Sequence, residues 1–139
     1  FLQIINIGVD QPHKPGFYLS DVSHLCGGAA VNFAALGVQA VLWTSGAAGF
    51  DSQLTPVIKI SGNKDIINDD VDIDATGILD GTNTAQQVAH NIIDYLEAVC
   101  DGNPTRTEGY GSSFLTLYQK DIRVESLLNI HNPHCQKGC

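Results

Sequence analysis

Two short apolar runs constrain this chain more than any other feature. Val38 to Trp43 is almost continuously apolar, broken by Gln39, and Val57-Ile58-Lys59-Ile60 repeats the pattern after Pro56. Neither run alternates polar with apolar residues, and both are shorter than a typical helix. Such runs read as strands covered on both faces, the situation of parallel strands between layers of helices. They are expected to be adjacent central strands. The flanking segments agree. Ser23 is placed to cap a helix over roughly His24 to Leu36, where Ala29, Ala30, Phe33, Ala34 and Leu36 form a small-residue face and Gly37 a stop. Thr82 to Thr84 open a second helix, about Ala85 to Val99, with Val88, Ile92, Tyr95, Leu96 and Val99 at helical spacing. Gly102-Asn103-Pro104 ends it.

The remaining segments are weaker. Leu2 to Gly8 reads as a buried strand or a short helix end, Gln11 to Gly16 as a turn, and Phe17 to Ser20 as a short strand delivering Asp21. Asn68 to Gly81 is an acidic, turn-rich connection, and Phe114 to Tyr118 is a last strand candidate. No repeat is visible. Strands alternating with helices imply one α/β domain with a mainly parallel sheet.

Charge narrows the partners. Fifteen Asp and Glu oppose seven Lys and Arg, a net charge of -8, and the cations are scattered. Nucleic acid and anionic membranes need positive potential, so neither is expected as a partner. No apolar run approaches the length of a membrane span. Four Cys in 139 residues are too sparse for a disulfide scaffold and read as reduced thiols in a cytoplasmic protein. The chain lacks Met and opens directly on Phe1-Leu2-Gln3-Ile4-Ile5, which reads as part of a longer product.

In parallel sheets, ligands gather where loops leave the carboxyl ends of strands. Ser20-Asp21-Val22-Ser23 and Thr44 to Gly49 are two such loops. The second offers two hydroxyls and Gly residues that let a carboxylate or phosphate approach backbone N–H groups, unless it is simply a tight connection. No dinucleotide fingerprint, P-loop or nucleophile elbow is present. Lys59 stands between two Ile. A buried ammonium is costly, so it either snorkels out at an edge or faces a polar site, with Asn63 at the same rim. Asp69, Asp70, Asp72, Asp74 and Asp80 read as a solvated acidic face, because Ala75 and Gly81 break the calcium-loop pattern. The tail's His131, His134, Cys135 and Cys139 are too closely spaced for a structural zinc site, and residues 129–139 are expected to be a disordered tail.

Taken in order, several segments resemble the C-terminal part of the altronate/galactarate dehydratase family. They are Lys14 to Asp21, Ala35 to Gly46, Pro56 to Asn63, Asp72 to Gly81, and Gly102 to Glu108, and the resemblance spans about Phe1 to Leu128. It implies a Rossmann-like α/β domain, with helices on the sheet faces, from enzymes that remove water from sugar acids. A related branch eliminates sulfite from sulfolactate. The family chemistry also implies a divalent metal, iron being the usual one, although no metal ligand is identified here. Matched residue by residue, Asp21 and Lys59 take catalytic positions, while Thr44, Ser45, Gly46 and Asn63 take substrate-binding ones. Abstracting a proton beside a carboxylate creates an enediolate that needs cationic or N–H stabilisation, and the leaving hydroxyl needs an acid.

The chain departs from the pattern in two places. Ala47-Ala48 stands where the family commonly has Arg-Gly, which removes a bidentate carboxylate partner. Val22-Ser23 stands where Thr-Pro is usual. The expected function is a dehydratase C-terminal domain that supplies part of a sugar-acid carboxylate site and is inactive alone. The competing expectation is a non-catalytic binding or assembly module derived from it. Either form is expected to self-associate or to dock on another domain.

Overall fold

The computed structural model describes residues 3–6, 10–21, 26–46 and 54–111. Ser23, Ala47, the Phe114 to Tyr118 strand candidate and the 129–139 tail lie outside them. The described elements are β1 (Ile4–Asn6), β2 (Leu19–Asp21), α1 (Cys26–Ala35), β3 (Val41–Thr44), β4 (Val57–Ser61), β5 (Ile73–Asp74), α2 (Gly77–Asp80), α3 (Ala85–Cys100) and α4 (Arg106–Gly109). A short 3-10 turn, Lys64–Ile66, follows β4.

All strand pairs among the described residues are parallel. β1 pairs with β2, and a second sheet has the order β3-β4-β5. The chain is therefore an α/β protein. The adjacency expected for the two apolar runs holds, because Val41 pairs with Val57 and Trp43 with Lys59. Among the described strands only β4 is central, however. All five of its residues are buried, as its uninterrupted apolar pattern predicts. β3 has one strand neighbour among the described residues and alternates between buried and open positions, with Leu42 45% exposed. The expectation of a strand covered on both faces fails there. The described helix on the far face packs on β4 and β5 and leaves β3 uncovered.

The side-chain alternation of β4 feeds two separate cores. Val57 packs with Val41 and with Ala30 of α1, and Phe33, Val38 and Trp43 close around them. Ile58 and Ile60 face the other way, onto Ile73 and onto Val88 and Val99 of α3. The small residues of α1 let its backbone approach the sheet, whereas α3 contributes larger apolar side chains.

Helix ends follow their sequence signals. Thr84 caps α3 in a reciprocal box: its hydroxyl accepts from the Gln87 amide at 3.2 Å, and Gln87 Oε1 accepts from the Thr84 amide at 2.8 Å. Gly37 (φ 80°) and Gly102 (φ 101°) take the left-handed conformation that ends α1 and α3. At both ends the next residue's amide reaches back to the helix, Val38 to the Phe33 carbonyl and Asn103 to the Ala98 carbonyl, each at 3.0 Å.

The acidic stretch differs most from expectation. It contains β5 and α2, and Asp72 is buried, not solvated. One Asp72 oxygen accepts from the Lys59 amide at 2.7 Å. The other accepts from the Tyr95 hydroxyl at 2.6 Å and the Arg106 amide at 2.9 Å. The Asp72 amide in turn donates to the Lys59 carbonyl at 3.0 Å. One carboxylate thus ties β4 to α3 and to the first turn of α4. Burial, reinforced by the bond to Asp72, raises the Tyr95 phenol well above its ordinary value of 10.0.

Replacing Asp72 with Ala strands three donors and is expected to cost about 2–4 kcal/mol in urea unfolding at neutral pH, against about 1 kcal/mol for Tyr95→Phe. Because the folded phenol value is raised, the Tyr95 contribution is complete below pH 10 and fades as pH rises through the folded value. Wild type and Tyr95→Phe should therefore converge in stability in strong alkali.

Candidate functional site

Parallel pairing places the carboxyl ends of β3, β4 and β5 on one rim of the sheet. Lys59 lies two residues inside that rim. The alternation that sends Ile58 and Ile60 toward α3 puts Lys59 on the opposite face, beside Trp43 in register. Lys59 is buried, at 8% exposure, so its ammonium does not reach out into open solvent.

Lys59 lines a cavity of about 270 Å³ together with Trp43, Ser45, Ser61, Asp65 and Asp70. This volume sits just below the ~300–1,000 Å³ of pockets for drug-sized ligands and suits a small polar molecule. Ser45 hangs over the cavity from the end of β3, and its amide donates to the Ile60 carbonyl at 3.1 Å. That bond prolongs the sheet by one residue and fixes where the hydroxyl begins.

The residues expected to act together are only partly brought together. Ser45 and Lys59 share the cavity. Thr44 pairs with Ile60, so its exposed side chain lies on the face opposite Lys59. Asn63 is employed in holding the rim. Its Nδ2 donates to the Gly46 carbonyl at 2.8 Å, and its Oδ1 accepts from the Asp65 amide at 3.0 Å. Both ends of that amide are thus engaged, one tying the loop after β4 to the Gly46 carbonyl after β3 and the other capping the 3-10 turn Lys64–Ile66. Asp21 closes β2, opposite Asn6 in the other sheet, and its side chain lies outside what the structure describes.

Sequence reasoning missed Asp65 and Asp70 as cavity residues. Asp65 lies within the 3-10 turn Lys64–Ile66 and Asp70 in the next turn, and only the tertiary path folds both beside Lys59. No recognisable spacing announced this.

A charged pair lies near the rim. Lys64 Nζ and Asp80 Oδ2 are 2.6 Å apart on the surface, and Asp80 also accepts from the Thr82 hydroxyl and amide. The Lys64 ammonium, then Thr82, hold the Asp80 carboxyl far below the ordinary carboxylate range. The same partner raises Lys64. Asp74 is also lowered, by its bonds to Thr76. Among the described residues no three His, Cys, Asp or Glu come together as a metal-binding group. Asp72, the buried acid nearest the site, has both oxygens committed to donors. The described residues therefore do not fit an iron site, and no chemical step is assigned to a metal here.

With this geometry in place, the comparisons identify the chain. A family model described as D-galactarate/Altronate dehydratase, C-terminal, matches residues 2–122. The chain belongs to this family of sugar-acid dehydratases, as its C-terminal domain. No curated protein matches it significantly. Among the described residues no helix is long and apolar enough to cross a membrane.

In Lys64→Met, the Asp80 carboxyl is expected to titrate nearer the ordinary carboxylate value in a carbon-detected NMR titration. Since the folded Asp80 value is lowered, its contribution to stability is present above the unfolded carboxylate value and is lost as pH falls through the folded one.

Proposed function

We propose that this domain supplies the carboxylate-binding part of a sugar-acid dehydratase site and is not active alone. The observation that carries this reading is Lys59, a cation buried in a small cavity at the carboxyl rim of a parallel sheet. Lys59 and the Ser45 hydroxyl engage the substrate carboxylate. As the neighbouring carbon loses its proton, negative charge accumulates on that carboxylate, and a cation already in place stabilises it without reorganisation. Asn63 positions Ser45 by fixing the Gly46 carbonyl, and Asp21 is kept as the candidate acid or base. The remaining clamps, and the metal that the family chemistry calls for, come from outside the described residues. The domain accordingly works docked on further protein, or on a second copy, in the cytoplasm.

A second reading has two observations in its favour. The Asn63 amide is consumed by structure, and Ala47 replaces the family's Arg, as expected of a domain that kept the fold as a binding or assembly module.

Titration with altronate, followed by amide NMR, is expected to move resonances of Ser45, Lys59 and Ser61. Lys59→Met should weaken that binding about tenfold or more, as for loss of one charged contact. The wild-type chain alone, with or without iron, should form no keto-deoxy product. Turnover would refute the dependence on other segments, and a folded chain that binds no sugar acid would favour the assembly module.

A further inference from the structure

The cavity wall carries a buried hydroxyl whose hydrogen-bonding capacity is only partly used. Ser61 ends β4 two residues beyond Lys59, so strand alternation puts it on the same face, and it lines the same cavity of about 270 Å³. It is 3% exposed. Its Oγ accepts from the Asn63 amide at 3.1 Å, which fixes the oxygen, while its proton is donated to no described residue. The carboxylate of Asp74, its register partner on β5, bonds the Thr76 amide at 2.8 Å rather than Ser61. A hydroxyl has a donor as well as its acceptor sites, and a donor left unused away from bulk water costs free energy. The cavity is where that donor can be used. Asn63 sets both sides of it, because its backbone amide holds Ser61 and its Nδ2 holds the Gly46 carbonyl next to Ser45.

Resting on the sugar-acid reading above, we infer that Ser61 is a further substrate-binding residue, which donates its hydroxyl proton to a hydroxyl oxygen on the carbon chain of the sugar acid. Two kinds of ligand oxygen fit such a donor, a carboxylate oxygen and a hydroxyl oxygen, and the surroundings choose between them. Asp65 and Asp70 line the same cavity. A ligand carboxylate at Ser61 would be brought toward these two acids, and like charges in a partly desolvated site repel. A hydroxyl meets no such opposition. It accepts from Ser61 and keeps its own proton for a neighbouring acceptor. Ser61 thus reads the hydroxyl-bearing part of the ligand, and this contact depends on the hydroxyls and not on the charges around Lys59.

The test is a double-mutant cycle between protein and ligand on the 139-residue chain, with altronate and the series of monodeoxy altronates as probes, titrated by amide NMR. Ser61→Ala is expected to bind altronate roughly fivefold more weakly than wild type, as for loss of one neutral hydrogen bond. One deoxy probe should lose about the same factor on wild type and nothing on Ser61→Ala, which marks the hydroxyl that Ser61 contacts. A purely structural role, in which the variant only deprives the Asn63 amide of its acceptor, weakens every probe alike and shows no such coupling. Absence of coupling at every position, or undiminished altronate binding by Ser61→Ala, means that the Ser61 proton serves cavity water only. Either result overturns the contact and leaves the carboxylate site standing. Coupling at one position together with undiminished binding by Lys59→Met keeps the Ser61 contact and removes the carboxylate role of Lys59. A folded wild type that binds no altronate removes both. Ser61→Cys, close in size and a weaker donor, supports the same cycle should the alanine variant fail to fold.

Discussion

The Asp72 carboxylate holds together parts of this domain that hydrophobic packing alone would leave free to slide. It is buried between the middle of β4 and the side of α3, and it accepts from a strand amide, a phenol and the first amide of α4. Apolar contacts resist separation but tolerate shear, because they are not directional. Hydrogen bonds to a buried charge have direction, and leaving one unmade costs more than making it gains. Asp72 therefore fixes the register of β4 against α3. In doing so it fixes the backbone of Lys59, which it contacts through both its amide and its carboxylate.

From that anchor the site follows by geometry. β4 is covered on both faces and cannot tilt, so the residue at its third position has a determined direction. Lys59 is sent to the face shared with Trp43, away from the Ile58 and Ile60 core. The cost of burying its ammonium is offset by polar neighbours, because an uncompensated buried charge would destabilise the strand. The loops beyond the strands are joined by the Asn63 bond to Gly46, which keeps the Ser45 end of the cavity at a set distance from the β4 end. A structural amide and a structural carboxylate thus position a lysine and a serine.

Much of the framework was legible because it rests on local signals. The unbroken apolar pattern of Val57 to Ile60 announces a buried strand, the Thr84 and Gln87 pair announces a helix start, and Gly37 and Gly102 announce helix ends. Val38 to Trp43 misled for a physical reason. Composition records that a residue is apolar, whereas burial depends on whether another element covers it, and nothing described covers Leu42. β5 was hidden for a related reason: Ile73–Asp74 is too short to show a period and exists because β4 offers it a partner.

The sequence by itself determined the α/β class, the order of the main elements, the exceptional character of Lys59 and the family. Each of these is written in patterns a few residues long. Only the tertiary structure decided that Thr44 faces away from Lys59 while Ser45 joins it, that the Asn63 amide is spent on the rim, and that Asp72 is buried while Asp65 and Asp70 line the cavity. Asp65, Asp70 and Asp72 are close in sequence and alike as letters. Their roles separate because the chain folds Asp72 under α3 and leaves the other two beside a lysine, and only the positions of distant elements set the solvent and partners that each carboxylate meets.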